Sequence, residues 1–287
     1  MGKSKSDWAL VLAGGGARGI AHIGVLKELA DAGFPKPSLV VGTSMGAIVG
    51  GLYACGMSPA ELENFVLNEF NITNYLDSFV FKLDGPVGKV MQTGQALANL
   101  AVKPGIDPAH RLMKLFESLT GGKNFDETEI PFRCNALDLF TGQEVIFSTG
   151  SVAKAIRASM SFPVFFEPVM EDGKYLVDGG LADNMPVAIA RKEGYNRVIA
   201  VNVNRFSILQ PDDLKNGLQI FYRSVESMLH VMEEEKCKAD LTLDASDDSS
   251  LISFFRQKEL VSLGKQTVKD KMKDLEAFFT PNSRFLA

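Results

Sequence analysis

Leu39-Val40-Val41-Gly42-Thr43-Ser44-Met45-Gly46 is the stretch on which the reading of this chain turns. Its first three residues are apolar and partly β-branched, the composition of a buried strand. The run Ala47-Ile48-Val49-Gly50-Gly51-Leu52-Tyr53-Ala54-Cys55 reads as an apolar helix ending near Gly56. Between them stands Gly42-x-Ser44-x-Gly46, and a strand that turns directly into a helix through Gly-x-Ser-x-Gly is a nucleophile elbow. The chemistry explains the residue types. So tight a turn pushes Ser44 into a sparsely populated φ/ψ region, at a cost of about 1–3 kcal/mol. Side chains two residues either side would collide, so positions 42 and 46 take glycine, which has no Cβ. The Ser44 hydroxyl then stands at a helix N-terminus, whose roughly half a positive charge favours a nearby oxyanion. An ordinary glycine-rich strand–helix turn is the alternative reading of the same residues.

The chain has 287 residues, enough for one large α/β domain or two small ones. Hydrophobic residues make up 46%, charged residues 23%, and the net charge is −5, so no chain-wide basic footprint for nucleic acid exists. Cys55, Cys134 and Cys237 are far apart and odd in number; they suggest neither a disulfide framework nor a metal site and fit a reducing compartment. His22, His110 and His230 are isolated, and no zinc motif is present. Met1-Gly2-Lys3-Ser4-Lys5-Ser6 reads as a solvated leader rather than a signal peptide, although Gly2 with Ser6 also matches the short myristoylation pattern. No stretch reaches the roughly 18–20 apolar residues of a membrane span. The expected location is cytoplasmic. The 20 Phe and 11 Met fit a lipid-accommodating surface and ordinary core packing equally.

Trp8-Ala9-Leu10-Val11-Leu12-Ala13 reads as the first strand, and Gly14-Gly15-Gly16-Ala17-Arg18-Gly19 follows. Ile20, Ile23, Val25, Leu26 and Leu29 then recur at helical spacing up to Gly33, which caps the helix. Gly14-x-Gly16-x-x-Gly19 matches the dinucleotide fingerprint literally. That motif also needs an acid at the end of the second strand to hold the ribose. Here the second strand ends in Gly42-Thr43-Ser44, so the nucleotide reading is rejected and no cofactor is expected. The loop serves better as a row of backbone N–H groups aimed at an anion. In acyl transfer that anion is the tetrahedral oxyanion, and one donor is typically worth about 10²–10³ in rate. Arg18 braces the loop, meets a substrate phosphate, or is a surface arginine.

Ser58-Pro59-Ala60-Glu61 starts a helix, and Asp107-Pro108 starts another that runs towards Leu119 and ends at Gly121-Gly122. Between them lie Phe65, Phe70, Tyr75, Phe79, Phe81 and Met91. Residues 57–125 read equally as a mobile cap with an acyl-binding wall and as an irregular packed excursion. His110 falls in a helical stretch and reads as structural. Phe132–Leu137 and Glu144–Ser148 are two strands joined around Thr141-Gly142, with Asp138 at the edge of the turn. Ser151 caps a helix over residues 152–159. Ala158–Val169 carries Pro163, Pro168 and three Phe, which precludes a regular helix and suggests a pocket wall. Asp172-Gly173 turns a hairpin into the strand Lys174–Val177. Asp178-Gly179-Gly180 ends it, and a carboxylate there is placed for general-base work if burial raises its pKa; a plain turn aspartate is the alternative. Asn184 reads as the N-cap of the next helix, Arg197–Val203 as a parallel-type strand, about 211–238 as a long helix, 241–244 as a short strand and about 254–279 as a final helix. His230 has no assigned role. No repeat or linker divides the chain, which reads as a single domain over 8–287 with 204–287 as its helical C-terminal part.

Three blocks thus stand in order: Gly14-Gly15-Gly16-Ala17-Arg18-Gly19, Gly42-Thr43-Ser44-Met45-Gly46 and Asp178-Gly179-Gly180. Together they resemble the patatin-like phospholipase family over roughly residues 8–203. Ala158–Pro168 and Asp178-Gly179-Gly180-x-x-x-Asn184-x-Pro186 are similar to that family's patterns as well. The resemblance implies a three-layer α/β/α fold with a mainly parallel central sheet, and no metal requirement. It implies Ser44 as nucleophile and Asp178 as its partner in a Ser–Asp dyad without histidine. The backbone of Gly14, Gly15 and Gly16, with Arg18 and Gly19 supporting the loop, would form the oxyanion hole. The implied substrate is a lipid or lysolipid acyl ester, with peripheral membrane contact because such substrates sit there. Two further readings stay open: a Ser–Asp–His esterase, for which His230 is the candidate, and a lipid-sensing protein that keeps the fold without turnover.

Overall fold

The computed structural model describes residues 7–77, 103–206, 208–210, 214, 217–234, 238–247 and 254–280. Its strands are β1 (Ala9–Leu12), β2 (Leu39–Gly42), β3 (Gly105–Asp107), β4 (Phe132–Asp138), β5 (Gln143–Phe147), β6 (Val164–Phe166), β7 (Val169–Glu171), β8 (Lys174–Asp178), β9 (Val198–Asn202) and β10 (Leu241–Asp244). The main sheet runs β10-β9-β1-β2-β4-β8-β7, with β5 also paired to β4. From β10 to β4 all neighbours are parallel; β5, β7 and β8 are antiparallel additions. The sheet is therefore mainly parallel, as the sequence implies.

Helices on both faces explain why the central strands are continuous apolar runs rather than alternating ones. The helices are α1 (Ala21–Asp31), α2 (Met45–Ala54), α3 (Pro59–Asn64), α4 (Ile72–Tyr75), α5 (His110–Leu119), α6 (Val152–Ser159), α7 (Val187–Lys192), α8 (Gly217–Glu234), α9 (Gln257–Asp270) and α10 (Met272–Phe279). Side chains alternate across a strand. Leu10, Leu12, Val40, Ile199 and Val201 join the larger core with α1, α2, α9 and α10, while Ala9, Val11, Val41, Val198 and Ala200 pack against α7. The helices α1 and α9 touch backbone to backbone. A Cβ on Gly24 would lie 2.0 Å from the Val261 carbonyl oxygen, and one on Gly264 would lie 2.0 Å from that of Ala21.

Several expectations change. Asp107 does not open a helix: Gly105–Asp107 is held extended by parallel pairing with β6. The Asp107 carboxylate instead accepts the Ala109 N–H at 2.7 Å, an Asx turn, and α5 starts at His110. The segment with two prolines forms β6, a strand absent from the sequence reading. Asn184 caps nothing, because α7 begins only at Val187, after Pro186. The final helix is two helices that meet at Lys271. The long helix is described over Gly217–Glu234. Met1–Ser6 with Gly2, and Phe79, Phe81 and Met91, lie outside the described residues. Among the described residues no helix is long and apolar enough to cross a membrane.

Candidate active site

β2 ends at Gly42, and the chain reverses into α2 within three residues. Ser44 takes φ 52°, ψ −118°, a region that L-residues rarely adopt. Both flanking glycines are required, though not because neighbouring side chains would meet. A Cβ on Gly42 would fall 2.3 Å from the Gly46 carbonyl oxygen, and a Cβ on Gly46 would fall 2.1 Å from the Leu12 carbonyl oxygen of β1. The obstacle is backbone in both cases. The Gly46 N–H donates to the Thr43 carbonyl at 2.8 Å, and the Ser44 N–H donates to the Ser159 hydroxyl at 2.9 Å.

Asp178 ends β8 opposite Ala136 of β4. Its N–H donates to the Ser161 carbonyl at 3.0 Å. Its Oδ1 accepts the Gly180 N–H at 2.7 Å, and its Oδ2 accepts the Ser44 hydroxyl at 2.7 Å. The residue is only 2% exposed. Loss of water raises its pKa to about 6, against the opposing pull of the Ser44 and Gly180 hydrogen bonds.

The glycine-rich loop divides its work. The Gly14 N–H donates to the Asn184 carbonyl at 3.0 Å, and the Gly14 carbonyl accepts from the Asn184 side chain at 3.4 Å and from that of Asn204. Gly14 is therefore a structural tie, and its N–H is not available to an oxyanion in this arrangement. Gly15 and Gly16 line the cavity beside Ser44. Gly19 lets the turn lie on α2, since a Cβ there would fall 2.4 Å from Met45 Cγ. Arg18 is buried rather than on the surface, with Nη1 3.8 Å from Glu226 Oε1 of α8.

The histidines separate cleanly. His22 is fully buried behind the loop, where its Nε2–H donates to the Ala13 carbonyl at 2.8 Å; burial lowers its pKa to about 4, so it is neutral. The His110 ring is exposed, 3.8 Å from Asp77. His230 lines the cavity and stacks on Phe206 with ring centres 4.4 Å apart. The direct Ser44–Asp178 bond leaves no room for an imidazole between them. Asp138 serves its turn: its carboxylate accepts from Thr141 Oγ1 at 2.7 Å and from the backbone of Tyr175 and Phe140, and these bonds, Thr141 first, hold its pKa below the usual value.

A cavity of about 410 Å³ opens from Ser44 and Asp178. Its walls are apolar and include Leu52, Phe70, Leu112, Phe116, Phe162 and Phe165. The described parts of residues 57–125, and the segment with two prolines, thus both contribute wall. The sequence reading missed Ser159, Asn204 and Asn135. Only Asn135 carried a signal, a polar residue between Cys134 and Ala136 in the middle of β4 that becomes fully buried.

The chain is similar to known proteins. A family profile described as Patatin-like phospholipase matches residues 10–191. An uncharacterised NTE family protein of Mycobacterium tuberculosis is 32% identical over 203 residues, covering 71% of this chain and 51% of that protein. Lysophospholipase nte1 of Emericella nidulans is 31% identical over 209 residues, covering 73% of this chain and 13% of the relative. Patatin-like phospholipase domain-containing protein 6 of Mus musculus is 35% identical over 198 residues, covering 68% and 13%. The chain spans about half the length of the mycobacterial relative and a small part of the other two. The crystal structure of VipD from Legionella pneumophila superposes with a TM-score of 0.55 at 17% identity, over 96% of this chain and 68% of that one, a likeness of fold. The profile match and the relatives above 30% identity lead to one conclusion: this chain belongs to the patatin-like phospholipase family.

Proposed function

We propose that the chain is a serine acyl hydrolase of lipid esters, with Ser44 as nucleophile and Asp178 as its base. The observation that carries the reading is a 2.7 Å hydroxyl–carboxylate hydrogen bond at one boundary of an apolar cavity. The names of the fungal and mouse relatives, a lysophospholipase and a phospholipase-domain protein, favour a lipid or lysolipid acyl ester as substrate. Such substrates sit in bilayers, so the reading carries peripheral membrane contact with it. The free, buried thiols of Cys55 and Cys134 fit a cytoplasmic setting.

The acyl chain lies along the apolar wall with its ester carbonyl at Ser44. Ser44 Oγ attacks the carbonyl carbon as Asp178 Oδ2 takes the hydroxyl proton. The carbonyl π pair moves onto oxygen, and the N–H groups of Gly15 and Gly16 stabilise that charge. Collapse breaks the bond to the alcohol oxygen, which leaves with the proton from Asp178, and an acyl-Ser44 ester remains. Water then gives a proton to Asp178 and attacks the acyl carbon. The second collapse returns the proton to Ser44 and frees the fatty acid. A carboxyl with a pKa of about 6 suits both halves, because it is ionised at neutral pH yet a stronger base than an ordinary aspartate.

Intact mass after exposure to a fluorophosphonate tests the reading. One adduct is expected on the native protein and none on Ser44→Ala, with slow labelling of Asp178→Asn. A folded native protein that takes no adduct, with or without detergent micelles, would overturn the hydrolase and leave a lipid-binding protein on the same fold.

A further inference from the structure

Strand β4 brings two strand ends head to head. β5 pairs with Cys134–Asp138 along one edge of β4. The other edge is shared. β2 runs parallel along it and stops at Gly42 opposite Cys134, and β8 runs antiparallel along it and stops at Asp178 opposite Ala136. One residue of β4 separates the two stops: Asn135. Immediately beyond those stops the chain turns off into Thr43-Ser44 on one side and Gly179-Gly180 on the other.

The Asn135 side chain fills that junction, and it is fully buried. Its Oδ1 accepts the Thr43 hydroxyl at 2.8 Å. Its Nδ2 donates to the Asp183 carbonyl at 2.9 Å, to Glu144 Oε1 at 2.8 Å and, more weakly, to the Gly179 carbonyl at 3.3 Å. The Thr43 hydroxyl also lies 3.0 Å from the Asp183 carbonyl. Three acceptors surround the nitrogen and one hydroxyl faces the oxygen, so only an amide in this orientation satisfies the site. Gly179 nestles against the same group, because a Cβ there would fall 2.3 Å from Asn135 Oδ1. Leucine matches the volume but bonds to nothing, and aspartate would set a carboxylate among carbonyl oxygens.

We propose that Asn135 is the positioning residue that sets the distance between Ser44 and Asp178, by tying together the two strand ends that carry them. This rests on the roles given to Ser44 and Asp178 above. Asn135 is absent from the cavity lining, so it acts on the geometry of the reacting pair and not on the seat of the acyl chain. A misplacement of about 1 Å at a reacting pair costs roughly 10²-fold in rate. The Thr43 hydroxyl is one tie among several, and losing it costs about tenfold.

The experiment compares native protein, Asn135→Leu and Thr43→Val for fluorophosphonate labelling rate, for kcat and KM on a short p-nitrophenyl ester, and for cooperative thermal melting. Asn135→Leu is expected to label roughly 10²-fold more slowly with kcat falling in step and KM within about twofold. Thr43→Val is expected to fall between it and the native protein. A purely structural role would lower the amount of folded protein and leave the rate per folded molecule unchanged. A cooperatively melting Asn135→Leu that labels at the native rate overturns the proposal. If that variant does not fold, Thr43→Val decides: a native rate overturns the proposal and a slowed rate at unchanged KM upholds it. A native protein that is not labelled at all overturns the hydrolase reading itself, a result distinct from any of these.

Discussion

The two ends of the Ser44–Asp178 hydrogen bond are held by opposite means. Ser44 is held by its own backbone, in a strained conformation that Gly42 and Gly46 make possible by lying against main-chain atoms. Asp178 has an unstrained backbone, at φ −47° and ψ 129°. It is held from outside: by the Ser161 carbonyl, by the Gly180 N–H and by the Asn135 junction. Arg157 in turn fixes the Ser161 region. Its buried guanidinium donates to Ser161 Oγ, to the Pro108 carbonyl at 3.0 Å and to the Glu167 carbonyl at 2.9 Å. The Ser44 turn is thus written mainly into five consecutive residues, with outside bonds from Ser44 to Ser159 and from Thr43 to Asn135, whereas the position of Asp178 depends mostly on contacts from distant parts of the chain.

That contrast can be broken at either end. The largest effect is expected at the base: Asp178→Asn should slow ester hydrolysis and labelling by about 10²–10⁴, measured as kcat/KM, and a loss under tenfold would assign the base elsewhere. The same substitution should stabilise the fold. A carboxyl whose pKa rises from 3.8 to about 6 on folding binds its proton more tightly in the native state. It therefore favours folding fully below the unfolded value, and that contribution is lost as pH rises through about 6. At pH 8 the buried charge costs up to roughly 3 kcal/mol, so urea melts of Asp178→Asn should lie above native at high pH and converge with it in acid. At the nucleophile end the sign reverses. Gly46→Ala forces a methyl against the Leu12 carbonyl and should lower stability by about 1–3 kcal/mol, read from the urea midpoint; an unchanged midpoint would mean that β1 can yield.

A smaller effect follows from titration of the native protein. Its kcat/KM should be flat above the Asp178 pKa and fall about tenfold per pH unit below it, as the base is protonated. The smallest effect sharpens the comparison instead of breaking it. His230→Ala should leave kcat within about twofold, with any change confined to KM because the residue lines the cavity, since a histidine that is not the base contributes no proton transfer. A loss of 10² or more in kcat there would revive the histidine-dependent alternative.

The same contrast explains what was legible in the sequence. The strands β1, β2 and β9 and the turn between β2 and α2 could be read directly, since each strand is a short apolar run closed by a local signal, and β10 by its alternation of Leu with polar residues. That Gly15 and Gly16 line the cavity is a finding of the fold; the sequence suggested only a row of backbone N–H groups there. The bond from the Gly14 N–H to the Asn184 carbonyl has no local signal, because the two residues stand 170 apart in the chain. The β3–β6 pair escaped notice because its two strands are far apart in sequence, and the Arg157 clamp that gathers their neighbourhood leaves no periodicity to read. Asn184 looked like a cap from its position before Pro186, but the tertiary bond to Gly14 won over the local preference. Gly24 and Gly264 were unremarkable letters until two helices were found to cross there.

The reciprocal contact of those glycines has a consequence for where the folding unit ends. The family profile stops at residue 191. Beyond it lie β9, which occupies one whole edge of β1, and α9, whose backbone lies against α1. A chain cut at the end of the recognised motif region would bare the hydrogen-bonding edge of the strand that leads into Gly14–Gly19 and uncover the helix that follows that loop. The last third of the molecule carries no motif, and it is the plinth on which the glycine-rich loop stands.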